Sequence, residues 1–142
     1  MILRMLIVDD YPEIHKILTT VLEFIVSDLN FNINNSIHFK IDSAYQGDEA
    51  LHLVSKAEGE TYDIIFMDIM MPPGLNGFKA GEMILKIFPK TNIVFISAHS
   101  EYSKEDIIKI KSSEDNISIL SKPFELDDLV TIVKKIIEKI LN

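Results

Sequence analysis

Leu3-Arg4-Met5-Leu6-Ile7-Val8-Asp9-Asp10, residues 3–10, is a short apolar run that stops abruptly at two acids. A near-continuous apolar run of this length reads as a parallel strand buried on both faces. The signature recurs along the chain. Tyr62 to Met67 runs into Asp68, Asn92 to Ile96 runs into Ser97, and Ile117 to Leu120 runs into Ser121-Lys122-Pro123. A further strand, Ile37 to Ala44, alternates Lys40 and Asp42 with apolar residues, which suits a place near a sheet edge.

Helical patterns separate these strands. Pro12 fits the first turn of a helix, and Ile14, Ile17, Leu18, Val21, Leu22 and Ile25 then mark one helical face. The Asn-rich stretch Ser27 to Ser36 breaks that pattern and is expected as a long connection with at most a frayed helix end. Gly47 to Glu58 reads as a short helix with Ala50, Leu51 and Val54 inward, and Phe78 to Phe88 as a helix stopped by Pro89. Lys104 to Lys111 and Leu126 to Leu141 complete the set, with Ser112 to Asn116 as a loop between. The last helix carries two adjacent apolar stripes: Leu126, Val130, Val133, Ile137, Leu141 and Leu129, Ile132, Ile136, Ile140.

Five strands alternating with five helices imply an α/β fold: an open parallel sheet covered on both faces, in one domain spanning residues 1–142. Such sheets bind ligands at the carboxyl ends of their strands. In the order 2-1-3-4-5, strands one, three, four and five are successive neighbours. Asp9, Asp10, Asp68, Ser97 and Lys122 then converge on one crevice. Clustered carboxylates raise one another's pKa, and a hard divalent cation removes that cost. Mg²⁺ prefers carboxylate oxygens and water, and often adds phosphate oxygens. Lys122 supplies a positive charge suited to a phosphoryl oxygen, Ser97 offers a hydroxyl, and a carboxylate can itself be a nucleophile.

The whole-chain properties narrow the choice. The sequence has no cysteine, which excludes disulfides, thiolate metal sites and Cys nucleophiles. Its net charge of −8 argues against direct nucleic-acid binding, since phosphate backbones call for a basic face. No apolar stretch approaches a membrane span. The acids at Asp9 and Asp10 spoil any reading of the start as an export signal, so a cytoplasmic protein is expected.

Four segments, VDDYPE, MDIMMP, ISAH and SKPF, stand in order at strand ends. Together they resemble the receiver domain of two-component response regulators over nearly the whole chain. The resemblance implies a flavodoxin-like fold with the 2-1-3-4-5 order. It implies that Asp68 accepts a phosphoryl group from the phosphohistidine of a sensor kinase or phosphotransfer protein. Asp10 and Asp68 would hold Mg²⁺, helped by Asp9 and the backbone carbonyl of Met70. Ser97 and Lys122 would contact the phosphoryl group, and the Lys122–Pro123 peptide would be cis. Met70 and His99 would flank the path of hydrolytic water and set the lifetime of the phosphoryl group. Fourth helix, fifth strand and fifth helix would form a surface for a downstream protein, an output domain or a second copy.

The pattern is broken in places. Pro72-Pro73-Gly74-Leu75-Asn76-Gly77 holds one residue more than the usual loop, with Gly77 keeping the turn role. The position of the family's aromatic switch is Ile119. The stretch from Ser97 to Lys122 is long and lacks a Gly-Ala pair before the fifth strand.

Plainer readings of the same residues exist. Asp9 and Asp10 could cap the first helix, Ser97 could be an ordinary strand-end serine, and Lys122 a solvated loop lysine. Met67 reads as packing. His15, His38 and His52 read as exposed helix or loop residues, with no metal-ligand spacing among them. Two rival functions stand beside the leading one: an interaction module that has lost the chemistry, and a Mg²⁺-dependent phosphatase with an Asp nucleophile. The first usually lacks an acid or the lysine, all present here. The second generally needs an acid near the nucleophile, and Asp68-Ile69-Met70 has none. No output domain follows Asn142 in this sequence, which fits either a stand-alone regulator or one part of a larger protein.

Overall fold

The computed structural model describes residues 1–33, 37–56, 60–71, 74–97 and 116–142. The expected helix over 104–111, His99, Pro72-Pro73 and residues 112–115 lie outside them. The described elements run β1 (Ile2–Val8), α1 (Pro12–Ile33), β2 (His38–Ala44), α2 (Gly47–Ser55), β3 (Ile64–Asp68), α3 (Gly77–Ile87), β4 (Asn92–Ser97), β5 (Ile117–Ser121) and α4 (Leu126–Leu141). All neighbouring strands pair in parallel, in the order β2-β1-β3-β4-β5. This is the expected open sheet.

Strand side chains alternate between two faces, and both faces are buried. Leu3, Met5, Ile7, Phe66 and Val94 pack with Leu18 and Leu22 of α1 and Leu129 and Val133 of α4. Leu6, Val8, Ile65, Met67, Ile93 and Phe95 pack with Ala50 and Val54 of α2 and Ala80 and Ile84 of α3. That explains why the central strands read as continuous apolar runs rather than alternating ones. Each such side chain contributes about 1.5–3 kcal/mol on burial.

One expectation is overturned. Ser27 to Ser36 is not a long connection: α1 runs 22 residues, to Ile33. Asn is a mediocre helix former, but tertiary packing outweighs propensity. Leu22, Ile25, Val26 and Leu29 carry the apolar period into the Asn-rich segment and are all buried. Asn30 fixes the exit, donating from its amide to the Ile37 carbonyl (3.0 Å) and accepting the Ile37 N–H (2.7 Å). The last helix has its expected bounds, but its buried face straddles the two expected stripes. Leu129, Val133, Ile136 and Ile137 are buried, while Leu126 is exposed. Val130, Ile132, Ile140 and Leu141 pack partly against the same core, so much of the second stripe is already covered.

Candidate functional site

Register places the polar strand ends at one level. Val8 of β1 stands beside Met67 of β3, so Asp9 and Asp68 each follow at the same edge. Asp68 pairs with Ile96 of β4, and Ser97 pairs with Ser121 of β5, one residue before Lys122. The Lys122 N–H donates to the Ser97 carbonyl (2.8 Å), which ties the lysine loop to the end of β4. The Lys122–Pro123 peptide is cis, as expected.

Asp9 is buried and held on every side. Its N–H donates to the Ala44 carbonyl (3.1 Å). Its Oδ1 accepts the Tyr11 N–H (2.9 Å), and its Oδ2 accepts Lys122 Nζ (3.0 Å). One Asp9 oxygen thus holds the turn that leads into α1, and the other faces the lysine. Asp10 differs. Its Oδ1 is buried and has no hydrogen-bond partner among the described residues.

Asp68 is only 3% exposed. Lys122 Nζ approaches its Oδ1 at 3.6 Å, farther than it stands from Asp9. Burial pushes the Asp68 carboxyl up to about 6, with Asp9 and more weakly Asp10 adding to the rise; Lys122 and the Met70 N–H pull the other way. Asp9, Asp10 and Asp68 each offer a carboxylate oxygen within 4.8 Å of the others. Three hard anionic donors at that spacing, one with an unpartnered buried oxygen, fit a small divalent cation. A carboxylate oxygen left buried without a donor is costly, and coordination would remove the cost.

The surrounding loop is built for close approach. A Cβ on Gly77 would collide with the backbone carbonyl of Asp68, and the Gly77 N–H donates to the Ile69 carbonyl (2.8 Å). Glycine is thus required for α3 to start hard against β3. Asn76 caps that start by accepting the Lys79 N–H (2.8 Å). Met70 lies partly exposed (37%) beside the acids. Ile119 is half-buried and packs into the second core. Met67 is plain core, as expected.

His38 and His52 are exposed, as expected, but His15 is not. It is 6% exposed, with Nε2 2.8 Å from the Asp9 carbonyl and Nδ1 2.9 Å from Ser43 Oγ. The signal was in the sequence. His15 lies three residues before Leu18 and seven before Leu22, on the buried face of α1.

Comparison with known proteins agrees with this geometry. Residues 5–134 match the family described as response regulator receiver domain. The chain belongs to that family, the receiver domains of two-component signalling. It is similar to the sensory transduction protein LytR of Staphylococcus haemolyticus, 30% identical over 145 residues, covering 99% of this chain and 47% of that protein. It is also similar to hybrid signal transduction histidine kinase L of Dictyostelium discoideum, 30% identical over 129 residues, 84% of this chain and 7% of that one. The chain thus spans about half, or far less, of the curated relatives it matches first. Among solved structures, a response regulator receiver domain protein from Clostridium thermocellum superposes with a TM-score of 0.71 at 21% identity, covering 99% of both chains, a likeness of fold. Among the described residues, no helix is long and apolar enough to cross a membrane.

Proposed function

We propose that this receiver domain takes a phosphoryl group onto Asp68 from the phosphohistidine of a sensor kinase or phosphotransfer protein. The observation that carries the reading is the convergence of Asp9, Asp10 and Asp68 within 4.8 Å, with Lys122 against two of them. An Asp68 oxygen attacks phosphorus, the P–N bond breaks, and the imidazole leaves with its electron pair and takes up a proton. The elevated basicity of the Asp68 carboxylate suits a nucleophile, and at neutral pH it is largely ionised. Asp10 and Asp68, with Asp9 and the Met70 carbonyl, are the residues that would hold Mg²⁺. Bound there, the ion supplies charge neutralisation to the phosphoryl oxygens and the acids alike.

Lys122 would move its ammonium from Asp9 toward a phosphoryl oxygen, and Ser97 would donate its hydroxyl to another. Either movement shifts the ends of β4 and β5. Ile119 replaces the family's aromatic switch, so this chain transmits the shift through aliphatic packing. The chain acts as a stoichiometric signalling domain of residues 1–142 in the cytoplasm, without turnover of a metabolite. Its output passes to a downstream protein or an attached domain, through the surface around β5 and α4. A second copy on that surface is testable by light scattering with and without beryllofluoride; a monomer in both states at high concentration removes the homodimer.

Incubation with a small phosphodonor and Mg²⁺ tests the chemistry. The expected result is a labile acyl phosphate, hydrolysed in hot acid and in base, approaching one per chain. No labelling would leave a pure interaction module, and multiple rapid turnovers would indicate a phosphatase.

A further inference from the structure

The imidazole of His15 makes two specific polar contacts in a buried place where a leucine would have served packing alone. A carbonyl oxygen only accepts, so the Nε2 facing the Asp9 carbonyl at 2.8 Å must carry a proton. In the neutral ring, Nδ1 then accepts the Ser43 hydroxyl at 2.9 Å. The Tyr45 ring lies over the imidazole, with centroids 4.5 Å apart. The contact therefore ties the second turn of α1 to the ends of both β1 and β2.

The carbonyl that His15 holds belongs to the peptide joining Asp9 to Asp10. A peptide is planar, so holding its oxygen sets the Asp10 nitrogen and Cα, the point from which the Asp10 side chain departs. Asp9 has other anchors, in Ala44, Tyr11 and Lys122. Among the described residues Asp10 Oδ1 has no partner, so its aim depends on its backbone. Mg²⁺ demands near-ideal octahedral geometry and tolerates a misplaced ligand poorly.

We propose that His15 is a positioning residue for the acidic site: it locks the Asp9–Asp10 peptide and thereby aims the Asp10 carboxylate at the cation, with Ser43 orienting the ring. The inference rests on the reading of Asp9, Asp10 and Asp68 as cation ligands.

The test is a Mg²⁺ titration by calorimetry of wild type, His15→Phe, His15→Gln and Ser43→Ala, with a thermal melt of each without metal. His15→Phe keeps a buried ring and loses the donor; its Mg²⁺ affinity should fall about tenfold, as for other groups that orient metal ligands. His15→Gln can place an amide N–H near the Nε2 position and should bind within about threefold of wild type, even if it melts lower. Ser43→Ala should fall between them. Wild-type affinity in a folded His15→Phe overturns the proposal, and so does affinity that merely tracks melting temperature across the set. Should His15→Phe not fold, the remaining pair decides: Ser43→Ala binding like wild type, or His15→Gln binding tenfold worse, overturns it. A wild type that binds no Mg²⁺ removes the ligand reading and this proposal together, whereas binding that His15→Phe leaves intact removes this proposal alone.

Discussion

The two ends of the sheet treat polar groups in opposite ways. At the amino end, neutral amides and hydroxyls tie strand starts to neighbouring loops. Asn116 donates to the carbonyls of Pro89 (2.9 Å) and Thr91 (2.6 Å), and Asn92 to that of Asp63 (3.0 Å). The acid there, Asp63, accepts the backbone N–H of Arg4 (2.8 Å), while Glu60 pairs with the Arg4 guanidinium (2.9 Å). At the carboxyl end, three carboxylates cluster, and one ammonium lies against two of them, a formal net charge of −2 in a largely buried place. The amino end pairs most of its polar groups, with Arg4 Nε and Asn116 Oδ1 unpartnered among the described residues; the carboxyl end concentrates like charge that a bound cation would offset. Local rules that are broken without local compensation mark where function resides.

The contrast breaks if cation binding is not confined to the carboxyl end. Asp10→Ala should lose Mg²⁺ affinity by at least about a hundredfold, since removing a ligand costs no less than disturbing the groups that orient one. Lys122→Ala should retain Mg²⁺ binding, because it removes a competing cation rather than a ligand. Equal titrations for wild type and Asp10→Ala would overturn the assignment of the site.

The strain itself can be measured without metal. The Asp68 carboxyl titrates at about 6 in the fold against an ordinary 3.8. Its folded-state pKa is raised, so the folded protein holds this proton more tightly than the unfolded chain does. Its contribution to stability is full below about pH 4 and is lost as pH rises through about 6. The loss amounts to roughly 2–3 kcal/mol. Urea melts of metal-free protein should therefore show wild type losing more stability than Asp68→Asn between pH 4.5 and 7.5. Mg²⁺ at pH 7.5 should restore wild type by mass action. Parallel pH profiles for the two proteins would show that Asp68 carries no such strain.

At the other end, Asn116→Ala should destabilise by about 1–3 kcal/mol, leaving two carbonyls short of a donor, with Mg²⁺ affinity unchanged. A change in Mg²⁺ affinity there would mean that the two ends are coupled, and would blur the distinction. The smallest effect concerns phosphoryl lifetime. Met70 lies partly exposed beside the acids, and a thioether is too weak an acceptor to orient water. Autodephosphorylation should be slow in wild type and a few-fold faster in Met70→Asn, about 1 kcal/mol on the barrier. Wild-type decay within seconds that His99→Ala slows greatly would instead give His99 the part of orienting the water.

The carboxyl end was the more legible of the two in the sequence. Apolar runs that stop dead at Asp9, Asp68, Ser97 and Lys122 reveal both the strands and the site, because burial on both faces leaves polar residues nowhere else to go. The last helix was read to its bounds because amphipathic period and ends coincide. The remainder rests on hydrogen bonds of individual polar side chains, which apolar periodicity does not announce. Asn30 looks like a helix breaker until Ile37 is seen to bind it. That Lys122 stands nearer Asp9 (3.0 Å) than Asp68 (3.6 Å) is a preference no spacing in the sequence reveals. An ionisable side chain on an apolar face invites an exposed reading of His15, whereas the Asp9 carbonyl, which accepts from it, and the Ser43 hydroxyl, which donates to it, make it a core residue.

The central claim is that the strained carboxylate is the one that takes the phosphoryl group. Its most direct test is labelling of wild type and Asp68→Asn with a small phosphodonor, with and without Mg²⁺, followed by intact-mass measurement and borohydride trapping of the acyl phosphate. Wild type should carry one phosphate per chain, dependent on Mg²⁺ and trapped at residue 68, and Asp68→Asn none, since an amide is a poor nucleophile. One phosphate per chain on Asp68→Asn, or trapping at Asp9 or Asp10 in wild type, would contradict it.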